Sequence, residues 1–217
     1  MPSRREFIQA GLAASVVPVA FPVAESAPVA SVPHIAAFSS HRLTHVVCDA
    51  RFRSSQAVAI EAARLGLPVV SIDGDISDFW FHDLAPVWST APHAIAGLTA
   101  HGPLFCLERF GWDHGLRVVF RGVHRFEGDH VEHSLSGPFR TIAAAHGTLV
   151  ADDWPTHLTR LLNSCAVTHD TASTTVRGAV GGGRERDSDD TLCTLFTLFS
   201  WVIAPKHADP AAAMRRS

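Results

Sequence analysis

Residues 44–75 constrain the fold of this chain more than any other stretch. Two short apolar runs, residues 45–49 and 68–73, each end in an aspartate. Residues 54–67 lie between them and place apolar side chains at helical spacing. A strand, a helix and a strand in this order predict two parallel strands joined by a right-handed crossover.

The strand–helix pattern repeats in the middle of the chain. Residues 94–99 are typical of a buried strand, residues 103–114 of a helix, and residues 117–125 of a further strand. A turn at residues 127–129 leads into residues 130–136, which predicts an antiparallel hairpin. Together these units predict a three-layer α/β fold with a mostly parallel sheet of about five strands and an antiparallel edge hairpin.

Four further segments complete the prediction. They are a short helix or turn at residues 75–88, a helix at residues 153–165, a polar loop at residues 166–190 and a late strand at residues 191–204.

The composition limits the classes of protein to which the chain can belong. Its 217 residues are enough for one domain with a real core. A net charge of −3 without a basic cluster argues against nucleic-acid binding. Of the four cysteines, Cys48 and Cys106 are predicted to be buried thiols, whereas Cys165 and Cys193 flank the polar loop and could pair.

The N-terminus has the pattern of a targeting signal. Residues 3–9 read SRREFIQ and precede an uncharged apolar run at residues 10–24. The segment resembles a twin-arginine (Tat) export signal. The resemblance implies a periplasmic protein, with the Tat translocase as a partner during export. The predicted organisation is a signal and linker at residues 1–30, a single α/β domain at residues 31–205 and a tail at residues 206–217.

Tat export also bears on cofactors and partners. Because Tat substrates cross the membrane folded, the resemblance raises the prospect of a second partner, a cofactor-bearing enzyme subunit. The residues themselves identify no cofactor. No apolar window reaches the ~18 residues of a membrane-spanning helix, so we predict no stable membrane span in the mature form.

The loop after the first strand is the first candidate site. In open α/β sheets, ligands bind at the carboxyl ends of the parallel strands. Two arginines and two hydroxyls here precede a helix N-terminus, which favours an anion. The alternative is that a serine caps the helix and the arginines are solvated or paired with Asp49. No glycine-rich fingerprint points to a nucleotide. The candidate ligand-binding residues are Arg51, Arg53, Ser54, Ser55 and Gln56.

Three residues at the same predicted edge are candidates for catalysis. Asp49 and Asp73 end the first two strands, and His101 lies beside a glycine after the third. A histidine at such a turn can act as a general base. The alternatives are a turn with a helix cap for Asp73 and a structural or solvated histidine for His101. No Gly-x-Ser-x-Gly motif supplies a nucleophile.

The hairpin contains a possible metal site. A three-residue turn would place His124, His130 and Glu132 on one face, the residue types of a two-histidine, one-carboxylate site. A two-residue turn at Glu127 and Gly128 would place His124 and His133 on one face and His130 on the other. The chain has 14 histidines, so chance clusters are expected.

Three functions follow from these patterns. The first is a Tat-exported accessory or small-anion-binding subunit, favoured because no complete catalytic constellation is present. The alternative is a periplasmic enzyme that acts on a small molecule at the carboxyl edge of the sheet. A metal-binding protein that uses the hairpin is the third.

Overall fold

The structure is a computed structural model that describes residues 42–166, 168, 170–179 and 195–205. It confirms the α/β class: one seven-stranded sheet carries helices on both faces. The strands are β1 (His45–Asp49), β2 (Val69–Ile72), β3 (Ile95–Thr99), β4 (Leu116–Glu127), β5 (His130–Pro138), β6 (Thr171–Ala179) and β7 (Leu195–Pro205). The helices are α1 (Arg53–Arg64), α2 (Ser77–Phe79), a π-helical turn (Trp80–Leu84), α3 (Ala85–Trp88), α4 (His101–Asp113), α5 (Phe139–Ala145) and α6 (Trp154–Asn163).

The sheet corrects the predicted topology. Its order is β2-β1-β3-β7-β4-β5-β6. Only the β1–β2 and β1–β3 pairs are parallel, and the other four pairings are antiparallel. The prediction of a mostly parallel sheet of about five strands is therefore wrong. The last strand, β7, inserts between β3 and β4, and an apolar run fits a sheet in either direction, so local sequence does not reveal this pairing.

The predicted edge hairpin exists, but it is not at the edge. β4 and β5 pair around Gly128 and Asp129, and Gly128 has a φ of 62°, a conformation that favours glycine in hairpin turns. The edge strand beside this hairpin is β6, which falls in the segment predicted as a polar loop. Its side chains alternate between exposed and more buried positions, and this period-two pattern is that of a strand with one solvated face. The prediction also missed α5.

Two cores form because successive strand residues face opposite sides of the sheet. Val46 and Cys48 of β1 pack with α1, α5 and α6 in one core. Val47, between them, packs in the other core with α4 and the helical segment at residues 77–88. α1, which follows β1, and α4, which follows β3, therefore lie on opposite faces. The neighbouring carboxyl ends of β1 and β3 are thus a topological switch point, the position at which α/β sheets bind ligands.

Several predictions fall outside the described residues: the export signal, the tail after residue 205 and Cys193. Cys165 is a buried thiol. The domain boundaries stay predictions. Within the described part of the chain, no helix combines the length and the apolar character that crossing a membrane requires.

Candidate functional site

Asp49, at the carboxyl end of β1, is buried and held by Arg51. Arg51 Nε donates to Asp49 Oδ1 at 2.8 Å, and Nη2 donates to Oδ2 at 2.7 Å. The Asp49 side chain has no exposed surface, whereas that of Arg51 is 37% exposed. Hydrogen bonding to Asp49 raises the pKa of the Arg51 guanidinium. The bidentate pair thus fixes a charged guanidinium at the switch point, with part of its surface in solvent.

Ser55 connects the carboxyl ends of β1 and β3. Its Oγ accepts a hydrogen bond from the Asp49 backbone N–H at 2.8 Å and donates to the Leu98 carbonyl at 2.6 Å. The side chain is fully buried. Ser55 therefore fixes the geometry of the two strand ends, and its hydroxyl proton is committed to that link.

The N-terminus of α1 lies beside this pair. The helix begins at Arg53, and its N-cap, Phe52, makes no side-chain capping hydrogen bond. The first turn contains no acidic residue. Ser54 is buried, while Arg53 and Gln56 are exposed, and Gln56 Nε2 donates to the Ala50 carbonyl at 2.6 Å. The positive end of the helix dipole therefore has no acidic side chain in its own first turn to compensate it.

Asp73, at the end of β2, reaches the same arginine. Its carboxylate lies 3.8 Å from Arg51 Nε, and its side chain is 87% exposed. The guanidinium lies over Gly74, where a Cβ would overlap with it. Arg51 thus joins the two aspartates that end β1 and β2.

His101 is the first residue of α4 and is exposed. Its ring packs edge-on against Phe199 of β7, with 5.3 Å between centroids, and lies parallel to Phe105 at 6.0 Å. Among the described residues, no hydrogen bond or ion pair joins His101 to Asp49 or Asp73. The structure thus brings the aspartates together through Arg51 and places His101 at the end of the neighbouring strand, among aromatic rings.

The hairpin has a two-residue turn at Gly128 and Asp129, one residue further along than the predicted turn at Glu127 and Gly128, and it keeps His124 and His133 on one face. Glu127 pairs with His130, and His124 pairs directly with His133. His124 is buried, whereas the side chains of His130 and Glu132, on the opposite face, are 60% and 27% exposed. The three-residue turn, on which the metal prediction depended, is not formed. Within the described part of the chain, no group of three His, Cys, Asp or Glu side chains is arranged to hold a metal ion.

A buried chain of three polar side chains crosses the antiparallel half of the sheet. His124 Nε2 lies 2.7 Å from Ser200 Oγ, and His124 Nδ1 lies 2.6 Å from His133 Nδ1. The Trp154 ring packs on both imidazoles, with centroids 5.0 and 4.8 Å away. Burial lowers the pKa of His133 to about 4, and burial next to His133 lowers that of His124 well below its usual value. Both rings are therefore neutral at pH 7.

Ser200, His124 and His133 follow one another in the same order as the nucleophilic serine, the general base and the orienting residue of a catalytic triad. All three side chains are completely buried, however, so no substrate reaches Ser200 in this structure. Among the described residues, His133 Nε2 is buried without a hydrogen-bond partner, whichever Nδ1 carries the shared proton. This arrangement is a buried polar network in the core, and it affects the stability of the fold. The spacing of His124 and His133 pointed to the pair, but nothing local in β7 indicated Ser200.

Clefts occupy other parts of the surface. One of about 670 Å³ runs along the edge strand β2 and contains Asp73, but neither Asp49 nor His101 is among its lining residues. Two more, of about 580 and 450 Å³, lie over β4, β5 and β6, on the sheet face opposite α5 and α6. They share Arg121, Ser136 and Ser173. Hydroxyl groups dominate this face, as is usual on the solvated side of an antiparallel sheet.

Fold and site together define a mixed α/β protein with a parallel half, an antiparallel half and an arginine–carboxylate cluster at the switch point between β1 and β3. Comparison with protein-family models, with curated proteins and with solved structures gives no match. Its function therefore has to be argued from the chemistry of the site.

Proposed function

We propose that the protein is exported by the Tat translocase and binds a small anion in the periplasm, as a free binding protein or as an accessory subunit of a cofactor-bearing enzyme. The observation that carries the proposal is the pairing of Arg51 with a helix N-terminus. Asp49 anchors the guanidinium, and α1, whose first turn carries no acidic side chain, begins two residues later. Both features attract negative charge at one point.

The charges at this edge also indicate the size of the ligand. Arg51 and Arg53 are exposed cations, and the negative charge of Asp49 is buried and neutralised by Arg51. Asp73, on the far side of Arg51, is largely exposed. These charges place a carboxylate or phosphate group between Arg51 and the first turn of α1, on the side away from Asp73. A large polyanion would meet Asp73 and the acidic cleft beyond it.

The alternative, an enzyme that uses Asp49, Asp73 and His101, has less support. Both oxygens of Asp49 accept hydrogen bonds from Arg51, which leaves this buried carboxylate poorly placed to take a proton from a substrate. His101 packs against Phe105 and Phe199 instead of approaching either aspartate. Anion binding by Arg51 and the start of α1 requires no free general base.

We expect inorganic phosphate or succinate to perturb the backbone amide resonances of Arg53, Ser54 and Ser55 in a saturable, salt-sensitive titration. Arg53→Ala should weaken binding about 10-fold, since a charge-assisted hydrogen bond contributes roughly 1.5 kcal/mol. Arg177→Ala removes an exposed arginine from distant β6 and serves as the control, with affinity unchanged. The absence of saturable shifts at these amides with either anion would refute the proposed site.

Export gives a separate prediction. Replacing Arg4 and Arg5 together by lysine should leave the precursor in the cytoplasm, because the paired arginines define the resemblance to Tat signals. The chain offers a matched control, since Arg215 and Arg216 form a second arginine pair. Lysine at those two positions should not affect export. Cell fractionation and immunoblotting measure both variants, and periplasmic accumulation of the first would contradict Tat export.

A further inference from the structure

The helices that cover the second core carry most of the exposed large hydrophobic side chains of the described residues. We call the solvent side of residues 77–88 and of α4 the outer helical surface. Of the seven large hydrophobic side chains exposed in the described part of the chain, four lie here: Phe81 (68%), Val87 (41%), Phe105 (51%) and Trp112 (44%). The Trp80 ring, in the π-helical turn, stacks on Phe110 of α4 at 4.2 Å and holds the two elements side by side.

One flank of the outer helical surface is basic and aromatic. The Arg109 guanidinium lies 4.5 Å from the Trp112 ring centroid and 5.9 Å from that of Phe105. The guanidinium of Arg117, which belongs to the neighbouring strand β4, lies 5.8 Å from the Trp112 ring centroid. Neither arginine makes an ion pair with any residue that the structure describes, although Asp113 is close in sequence. Exposed Trp, Phe and Arg side chains are the ones that dominate protein interfaces.

The opposite flank is acidic. Asp78 and Asp83 project from residues 77–88 on the side away from α4, where they line the cleft of about 670 Å³ along β2. Asp73 and Asp75 line the same cleft. Positive charges therefore border the helical layer on one side and negative charges on the other, where only Asp73 lies near a cation, Arg51, among the described residues; Phe81 is exposed on this layer.

We propose that the outer helical surface forms a symmetric homodimer, in which Arg109 and Arg117 of each copy enter the acidic cleft of the other. A two-fold axis near Phe81 would turn the basic flank of one copy onto the acidic flank of its partner and repeat the contact twice. The exposed aromatic rings are buried between the copies. The same surface supplies both halves of every contact, so no other protein is required.

The dimensions of the surface set the expected affinity. α4 has 13 residues and is therefore about 20 Å long, and a second helical row beside it makes the patch roughly 20 Å wide. A footprint of about 400 Å² per copy buries about 800 Å² in total, less than the roughly 1,000 Å² of a stable interface, so the contact is weak and transient. The dimer should therefore dissociate in the micromolar range, and added salt should weaken it.

The charges allow a sharp test. Sedimentation velocity on the full mature chain should show a concentration-dependent dimer that is lost in high salt. The double variant Arg109→Glu with Arg117→Glu should be monomeric, and so should Asp78→Lys with Asp83→Lys, because each brings like charges together. Mixing the two variants should restore a heterodimer, since both copies of the contact then pair opposite charges.

Reversal of exposed charges away from this surface supplies the control. Arg125→Glu with Arg177→Glu changes the same number of charges on the hairpin side of the sheet and should leave the dimer intact. A wild-type chain that stays monomeric at every concentration would overturn the proposal. So would two monomeric variants that do not associate when mixed, even if the wild type self-associates, because that dimer would use another surface.

Discussion

Lowering the pH from about 6.5 to about 4 should cost this protein at least roughly 3 kcal/mol of its free energy of unfolding. The cause is the buried pair of His124 and His133. The pKa of His133 falls to about 4 in the folded state, from a usual value of 6.5. The pKa of His124, completely buried beside it, is lowered further. Below pH 6.5 the unfolded chain therefore binds protons that the folded chain does not accept.

The direction of this pH effect follows from the lowered pKa values of the two histidines. Stability is at its full value above pH 6.5, and it declines as the pH falls toward 4 because unfolding takes up protons in that window. Urea denaturation at several pH values in this range measures the slope of the free energy of unfolding against pH. His45 and His93, whose pKa values burial also lowers, act in the same direction. Glu61, whose pKa of about 2 reflects hydrogen bonds from Arg64 and Arg160, loses its contribution only at lower pH, below about 4.5.

A variant isolates the pair from the other histidines. His133→Gln should lower stability at pH 7, because it disturbs a packed core, but it should flatten the slope between pH 6.5 and 4. His130→Gln, at an exposed position in the same strand, should change neither. A slope as steep in His133→Gln as in the wild type would show that the acid sensitivity has another origin.

The substitution Gly97→Ala should destabilise the protein by about 3 kcal/mol. Gly97 lies in the middle of β3, between Val47 of β1 and Trp201 of β7. A Cβ at this position would stand 2.5 Å from the Val47 carbonyl oxygen and 2.5 Å from the Trp201 ring. The carbonyl belongs to a parallel strand pair and the indole is fully buried, so neither can move without cost.

A second glycine gives the matched control. Gly102 is in the first turn of α4, and apart from its chain neighbours and the helix backbone no described residue has an atom within 4 Å of an added Cβ. Gly102→Ala should be neutral or should stabilise the protein by up to about 1 kcal/mol, because alanine favours a helix and restricts the unfolded chain. Thermal and urea unfolding compare the two variants. Equal stability of Gly97→Ala and Gly102→Ala would mean that β1 and β7 do not enclose Gly97 as described.

Much of the local structure could be predicted from the sequence. Apolar spacing located β1, α1 and β2, and the glycine turn located the β4–β5 hairpin. The turn residues left two registers open, one of which puts His124 and His133 on the same face; the observed turn lies one residue further along and keeps them there. Each inference relied on a periodicity or a turn residue within a short window, where steric preferences act strongly.

Contacts between distant segments were decided only by the tertiary structure. Ser200 lies 76 residues from His124, its partner in the buried chain. The antiparallel pairings outnumber the parallel ones because β7 inserts between β3 and β4. No local feature of the β7 sequence determines this position. At the switch point, the sequence determined that Asp49, Arg51 and α1 follow one another. Whether Arg51 stayed free or paired with Asp49 depended on the burial of that carboxylate, since a buried charge needs an opposite charge beside it.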